Sequence, residues 1–260
     1  MRYRLDLAYD GTQFTGWQVQ PGGARTVQAV VEDALGKLLR RPIHLTGSGR
    51  TDTGVHAHQQ PTHFETEQPI ADLDQLIYRL ARLLPPDVKP TALLPVAPDW
   101  HARFSATERT YHYHVYQRPD PFRRFFAAFV GQPLDVDAMN AAAALLLGEH
   151  DFTTFSKTGG NTAHYRCRVR EAQWVADAEA ATLRFAISAN RFLRGQVRLL
   201  VGTLLDVGRG RLKVAGFGAA LAAQERARSS GAAPAQGLTL WRVAYQHAAL
   251  AEEGFAPRIP

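Results

Sequence analysis

The sequence predicts an α+β protein built from two related halves. Its 260 residues, 45% of them apolar, are enough to bury a core in one large domain or in two halves. Apolar residues recur with a period of two in some segments and at helical spacing in others, and the two kinds of segment alternate along the chain. The order of strands and helices restarts near Arg109, although no residue-level repeat is visible. We therefore expect a boundary within residues 95–109 and assign the halves to residues 1–104 and 105–260.

The first half opens with a predicted strand and a predicted helix. Residues 3–9 alternate bulky apolar residues with Arg4 and Asp6, which predicts a strand with one solvent-facing side. Thr26 precedes a run of apolar residues at helical spacing, so we expect it to cap a helix that ends before Pro42.

The same two periods predict the remaining elements. A Gly-rich loop, a strand through Phe64 and an amphipathic helix over residues 73–84 complete the first half. The elements expected in the second half are a strand over 109–116, a helix over 136–147, strands over 165–176 and 181–189, helices over 191–205 and 215–228, and a last strand over 238–245. The segment SSGAAP, residues 229–234, is interpreted as a mobile connector without a function.

Charge and cysteine content indicate a class of partner and a compartment. Lys and Arg outnumber Asp and Glu by 30 to 24, which favours a polyanion such as nucleic acid as partner or simply keeps the protein in solution. The single cysteine, Cys167, excludes an internal disulfide and a thiolate zinc site. The chain has neither the roughly 18 uninterrupted apolar residues of a membrane span nor the apolar block of a signal peptide. We expect a soluble, cytoplasmic protein.

The loop GRTDTGVHAH, residues 49–58, excludes or disfavours several familiar chemistries. It lacks the Lys of a phosphate-binding P-loop and leads into a strand instead of a helix. A zinc site on His56, His58 and His63 would lack a clustered carboxylate or thiolate, so we interpret these histidines as groups near a nucleic-acid phosphate. An aspartyl-phosphate enzyme would need a second Asp two residues from Asp10, and no Gly-x-Ser-x-Gly turn marks a hydrolase.

Asp52 is the residue of this loop best suited to chemistry. Gly49 and Gly54 give the loop backbone angles that other residues rarely adopt, and Arg50 lies two positions away. A guanidinium close to a carboxylate favours its charged form, and a charged carboxylate can attack the electron-poor carbon of a glycosidic bond. The alternative is that Asp52 only hydrogen-bonds its own turn.

The loop GRTDTGVHA resembles the GRTDAGVHA signature of the tRNA pseudouridine synthases of the TruA family. The resemblance covers nearly the whole chain, because further blocks occur in the same order as in that family. These blocks are YDGTQFTGWQ (9–18), TVQ (26–28), HARFSATERTYHYHVY (101–116), DFTTFS (151–156), NRFLRGQVRLLVGTLLDVG (190–208) and PAQGL (234–238).

Matched position by position, the resemblance implies a role for five residues. Asp52 becomes the nucleophile, and Arg50, in the same loop, contacts the substrate backbone. Tyr111 stacks on the extruded uracil and is a candidate for the final proton removal, although its position alone would suit an ordinary strand aromatic. Arg198 pairs with the catalytic carboxylate, and Leu238 lies near the base.

Spacing adds candidates for RNA contact to those that the resemblance implies. Arg191, Arg194 and Arg198 recur at i, i+3 and i+7, which predicts a cationic face on the helix over residues 191–205 or, alternatively, a merely solvated one. His56 and His58 are the other candidates.

The chain departs from the family pattern at a few positions. Thr53 stands where Ala is common, Pro61 interrupts the strand after the loop, and Gly195-Gln196 replace a bulkier pair. A glycine inside a helix would cost about 1 kcal/mol relative to alanine, which affects the expected geometry around Arg198.

The resemblance also implies a fold, a reaction and partners. The fold would be two mixed halves sharing a largely antiparallel central sheet with helices on one side, the catalytic loop in the first half and the stacking Tyr and basic helix in the second. The reaction would isomerise uridines in the anticodon arm of tRNA to pseudouridine on a flipped-out base, with no cofactor or metal, in a homodimer that holds one tRNA across both subunits. The rival hypothesis is a non-catalytic RNA-binding protein.

Overall fold

A computed structural model describes residues 1–159 and 162–246 of the chain. Within these ranges the strands are β1 (Arg2–Tyr9), β2 (Thr46–Gly47), β3 (His56–Glu65), β4 (Val88–Val96), β5 (Ala106–Tyr116), β6 (Ala128–Phe129), β7 (Gly148–Asp151), β8 (Arg166–Asp177), β9 (Thr182–Ala189) and β10 (Leu238–Tyr245). The α-helices are α1 (Val27–Leu39), α2 (Leu73–Leu83), α3 (Val136–Ala144), α4 (Gln196–Gly208) and α5 (Val214–Ala223), and short 3₁₀ turns lie at Arg226–Arg228 and Ala235–Gly237. None of these helices is long and apolar enough to cross a membrane.

The strands of the described residues form a single sheet in the order β4-β1-β3-β10-β5-β9-β8-β7, with β2 beside β3 and β6 beside β5. All neighbouring pairs are antiparallel except β3–β10 and β5–β6. Each half has its first strand at the centre of a three-strand unit, β4-β1-β3 in one and β10-β5-β9 in the other. The predicted α+β class with a largely antiparallel sheet is therefore confirmed.

Two hydrophobic clusters form the core. One packs α1 against β1 through residues such as Val31 and Leu5, and the other packs α4 against the central strands of the second half through residues such as Leu200 and Phe185. Leu240 of β10 belongs to the first cluster, whereas Val55, just before β3, belongs to the second. The two halves thus meet at the short parallel pairing of β3 with β10, directly after the loop that carries Asp52.

The side of β1 that carries Arg4 and Asp6 is covered by other residues, so the prediction that this side faces solvent is wrong. Asp6 is 4% exposed and accepts hydrogen bonds from Arg4 at 2.7 Å and from Gln59 at 3.0 Å. The Arg4 guanidinium lies over the rings of Tyr245 and Trp100, at 5.0 and 5.8 Å from their centroids. Alternation of charged and apolar residues cannot reveal that distant aromatic residues cover the polar side.

The strand β4 is the longest element that the sequence analysis missed. It contains Pro90 and Pro95, and it lies at the edge of the sheet, where a residue without an N–H group is tolerated. Pro61, expected to interrupt the strand after the loop, is accommodated within β3 opposite Asp6.

The helix predicted over residues 191–205 begins later, at Gln196. Gly195 is its N-cap and adopts a φ of +70°, a left-handed conformation that favours glycine. Arg191 and Arg194 therefore precede the helix, and the predicted i, i+3, i+7 cationic face on one helix is wrong. The expected cost of a glycine inside the helix does not apply either.

Candidate active site

The loop that carries Asp52 is braced by residues 9–17. The Tyr9 hydroxyl lies 2.8 Å from Thr51 Oγ1, and the Trp17 amide donates to the Thr51 carbonyl at 3.1 Å. A β-carbon on Gly11 would stand 2.1 Å from the Val55 carbonyl oxygen, so only glycine allows the two segments to approach this closely. The blocks YDGTQFTGWQ and GRTDTGVHA are thus parts of one packed unit.

Two cations from the second half contact the carboxylate of Asp52. Arg198 Nη1 lies 3.4 Å and Lys157 Nζ 3.7 Å from the same oxygen, Oδ2. The Asp52 side chain remains 31% exposed, so a substrate can reach it. Arg50, two positions before Asp52, is exposed and makes no ion pair with Asp52 among the described residues, so the guanidinium beside the carboxylate is not the one expected from the loop.

Arg198 is held in place by the segment over residues 229–234. Its Nε donates to the Ala233 carbonyl at 2.7 Å, and the Ala233 amide donates to the Arg198 carbonyl at 2.9 Å. The segment can pack closely on α4 because Gly202 of that helix has no side chain: a β-carbon there would stand 2.0 Å from the Gly231 carbonyl oxygen. The interpretation of this segment as a mobile connector without a function is wrong, because it positions Arg198.

Tyr111 lies on β5, half-buried, with its ring edge-on to Phe192 at 5.2 Å between centroids. Burial raises the pKa of Tyr111 to about 12, an effect that Arg109 opposes and the charge of Asp52 reinforces. The phenol is therefore neutral at physiological pH. Leu238 begins β10, is 6% exposed, and pairs with Tyr113, which lies two positions after Tyr111 on the same face of β5.

Arg109 supports the same region and was not singled out by the sequence analysis beyond marking a strand. Its guanidinium donates to the carbonyls of Ala106, Asn190 and Arg103 at 2.9, 2.9 and 2.6 Å, and to the Ser48 carbonyl at 3.3 Å. Ser48 directly precedes the loop, so Arg109 ties the loop that carries Asp52 to β5 of the second half.

The histidine candidates for RNA contact occupy different environments. His56 is 3% exposed: its Nδ1 accepts from the Gly11 amide at 3.0 Å, and its Nε2 lies 3.2 Å from the Gln236 carbonyl. It joins the loops of the two halves and is not a surface group, so we withdraw it as a direct RNA contact. His58 is exposed and stacks on Trp241 at 4.3 Å.

The arginine candidates lie on the segment before α4. Arg191 donates to Thr162 Oγ1 at 2.9 Å, and the exposed Arg194 donates to the Thr158 carbonyl at 3.3 Å. In the described ranges, no three His, Cys, Asp or Glu side chains lie together as metal ligands would.

Comparisons with known proteins point to one family. The sequence model of a family described as tRNA pseudouridine synthase matches residues 7–105 and 142–246. The chain is 44% identical to the tRNA pseudouridine synthase A of Parabacteroides distasonis over 244 residues, which cover 94% of this chain and 96% of that protein. It is 43% identical to the proteins of the same name from Porphyromonas gingivalis, over 94% and 97% of the two chains, and from Solidesulfovibrio magneticus, over 94% and 91%.

Proposed function

The chain belongs to the tRNA pseudouridine synthase family and is an isomerase of tRNA uridines, and on that premise we propose that Asp52 is its nucleophile and that its targets lie in the anticodon arm. Formation of pseudouridine breaks the bond between N1 of uracil and the ribose and forms one from C5 to the ribose. The hydrogen on C5 leaves as a proton, and N1 takes up a proton. No net oxidation or hydrolysis occurs.

The position of Asp52 is the observation that carries the proposal. Its carboxylate is the one acidic side chain in the loop, it is oriented by Arg198 at 3.4 Å, and it remains reachable from solvent. A restrained carboxylate oxygen that solvent can reach suits covalent attack on an electron-poor carbon. Arg50 and Arg194 are exposed and precede Asp52 and Arg198 by a few residues, so both are available for substrate phosphates.

Tyr111 is proposed to hold the flipped uracil. Extruding a base from a stem costs a few kcal/mol, and stacking on an aromatic ring recovers about 1 to 3 kcal/mol per base. Because the pKa of Tyr111 is raised to about 12, its phenol is neutral and can stack and donate a hydrogen bond. A role in removing the C5 proton requires the phenol to pass its own proton to another acceptor in the same step. Leu238 is proposed to line the apolar side of the base site.

The proposed assembly is a homodimer that holds one tRNA across both subunits in the cytoplasm. Its support beyond the family resemblance is a run of four exposed phenylalanines within eight consecutive residues, Phe122, Phe125, Phe126 and Phe129, which are 91%, 42%, 51% and 50% exposed. Large apolar side chains exposed this close together often mark a protein–protein contact, and a second copy of the chain would cover them.

Sedimentation velocity tests the homodimer. The wild-type protein is expected to sediment as a dimer and the double variant Phe122→Ser/Phe125→Ser as a monomer. Tyr78→Ser, which removes an exposed aromatic residue from α2, serves as the matched control and should remain dimeric. A monomeric wild type contradicts the proposal.

Activity is tested with an unmodified tRNA transcript carrying tritium on C5 of its uracils. We expect tritium release with and without a chelator, and chemical mapping should place the product in the anticodon arm. Tight tRNA binding without tritium release would support the rival, non-catalytic RNA-binding protein. Release from uridines outside the anticodon arm would contradict only the proposed target.

A further inference from the structure

Lys157 is a second cation on Asp52 that the family resemblance did not assign. It follows the block DFTTFS in the second half of the chain, and its Nζ lies 3.7 Å from Oδ2 of Asp52. Arg198 contacts the same oxygen at 3.4 Å. In the part of the chain that the structure describes, no hydrogen bond is made to the other oxygen, Oδ1.

The backbone and the stem of Lys157 are both fixed by the residues before α4. The Lys157 amide donates to the Arg194 carbonyl at 2.9 Å. The stem passes over Gly195, where an added β-carbon would stand 2.9 Å from Cγ and Cδ and 3.0 Å from Cε of the lysine. Any side chain at this position would displace the stem. Gly195 therefore serves two purposes: it adopts the left-handed N-cap of α4, and it leaves room for Lys157 to reach Asp52.

We propose that Lys157 is a positioning residue that, together with Arg198, holds Oδ2 of Asp52 and so presents Oδ1 to the uridine. A carboxylate held by one cation can rotate about its own Cβ–Cγ bond and exchange its oxygens, whereas two cations from separate elements on one oxygen oppose that rotation. The lone pairs of Oδ1 are then left for the attack. This inference rests on the proposed role of Asp52 as nucleophile.

The alternative role for Lys157 is a plain phosphate contact, because its side chain is 40% exposed. The two roles differ in what the lysine changes. A positioning residue sets the rate of the chemical step on bound tRNA. A phosphate contact sets the affinity for tRNA and its dependence on salt.

The test measures single-turnover tritium release with enzyme in excess, together with tRNA affinity as a function of salt, for wild type, Lys157→Ala, Lys157→Arg and the control Lys89→Ala. Lys89→Ala removes the same charge from an exposed position on the edge strand β4. We expect Lys157→Ala to lower the single-turnover rate by about tenfold, below the roughly 10²-fold that a misplacement of about 1 Å can cost, with the Kd for tRNA within about twofold of the control. Lys157→Arg should recover most of the rate.

Substitution of Gly195 tests whether the two residues act as a pair. Asn adopts positive φ more readily than other residues with a side chain, so Gly195→Asn preserves the N-cap conformation while obstructing the lysine stem. It should lower the rate in the wild-type background and have no further effect in Lys157→Ala, which is the signature of coupled residues. Thermal unfolding confirms that each variant is folded, and the comparison of Lys157→Ala with Lys157→Arg stands without Gly195→Asn.

The outcomes separate this inference from the proposed function. A wild type that releases no tritium refutes both. A wild type that turns over, with Lys157→Ala equally fast, refutes only the positioning role. A Lys157→Ala rate that is unchanged at saturation, with weaker binding and a salt slope smaller by about one unit, assigns the lysine to a phosphate instead.

Discussion

Replacement of Arg198 by Lys isolates the planar fork that orients Asp52. Arginine uses Nε to donate to the Ala233 carbonyl at 2.7 Å and Nη1 to contact Asp52 Oδ2 at 3.4 Å. Lysine keeps the positive charge, but its single amine cannot hold both groups in this fixed geometry. Hydrogen bonds that involve a charged group are worth about 1.5 to 3 kcal/mol, and the Arg198 side chain is only 17% exposed, so little solvent is present to replace them. If that energy is lost at the transition state, the rate falls by about 10-fold to 100-fold.

The assay compares the single-turnover rate of tritium release with the Kd for the same tRNA. Because the charge is retained, we expect Arg198→Lys to leave the Kd within about twofold of wild type while the rate falls. Arg82→Lys is the matched control: its side chain is exposed on α2 and makes no ion pair or hydrogen bond with Asp52 among the described residues, so its rate should change little. An unchanged rate for Arg198→Lys, or a rate loss equal to that of Arg82→Lys, would refute the reasoning.

Three further predictions concern Tyr111, Gly202 and His112. Since burial raises the pKa of Tyr111 to about 12, the single-turnover rate should be flat between pH 6.5 and 8.5; a tenfold rise per pH unit would instead indicate a phenolate base. Gly202→Ala should cost about 1 to 3 kcal/mol of unfolding free energy and slow turnover, because its β-carbon would stand 2.0 Å from the Gly231 carbonyl oxygen. The control is Gly218→Ala, whose β-carbon would face only a flexible side chain at 3.3 Å, and equal melting temperatures for the two variants would contradict the prediction. Burial, with help from Arg184, lowers the pKa of His112 to about 4, so below pH 6.5 the unfolded chain binds a proton at His112 that the folded chain does not bind. The contribution of neutral His112 to stability is therefore full above pH 6.5 and decreases as the pH falls toward 4. Urea denaturation should show that His112→Gln loses less stability on acidification than the wild type.

Local patterns predicted much of the fold. Thr26 caps α1 through a hydrogen bond from the Ala29 amide, as the sequence suggested, and β10 has the bounds that its apolar pattern predicted. The start of α4 was misplaced because glycine at a helix N-cap and glycine inside a helix look alike in a single sequence. The edge strand β4 was missed because its two prolines are normally signs of a loop.

The candidate site was less accessible to sequence reasoning because its cations come from far along the chain. The loop motif identified Asp52, but the neighbouring Arg50 is not the guanidinium beside it. Arg198, whose pairing only the resemblance suggested, is 146 residues away. No sequence pattern predicts that the stem of Lys157 passes over Gly195. Residues 229–234 have the composition of a flexible linker, so their role in holding Arg198 could not be predicted either.

Asp52→Asn tests the central claim most directly, because the amide keeps the size of the carboxylate and removes its charge. Tritium release from C5-labelled tRNA and tRNA affinity are measured on the same preparation, with Asp52→Ala as a second variant. We expect both variants to bind tRNA with a Kd within about twofold of wild type and to release no tritium above background, since neither side chain is a nucleophile. Turnover by Asp52→Asn at a rate comparable to wild type would contradict the account.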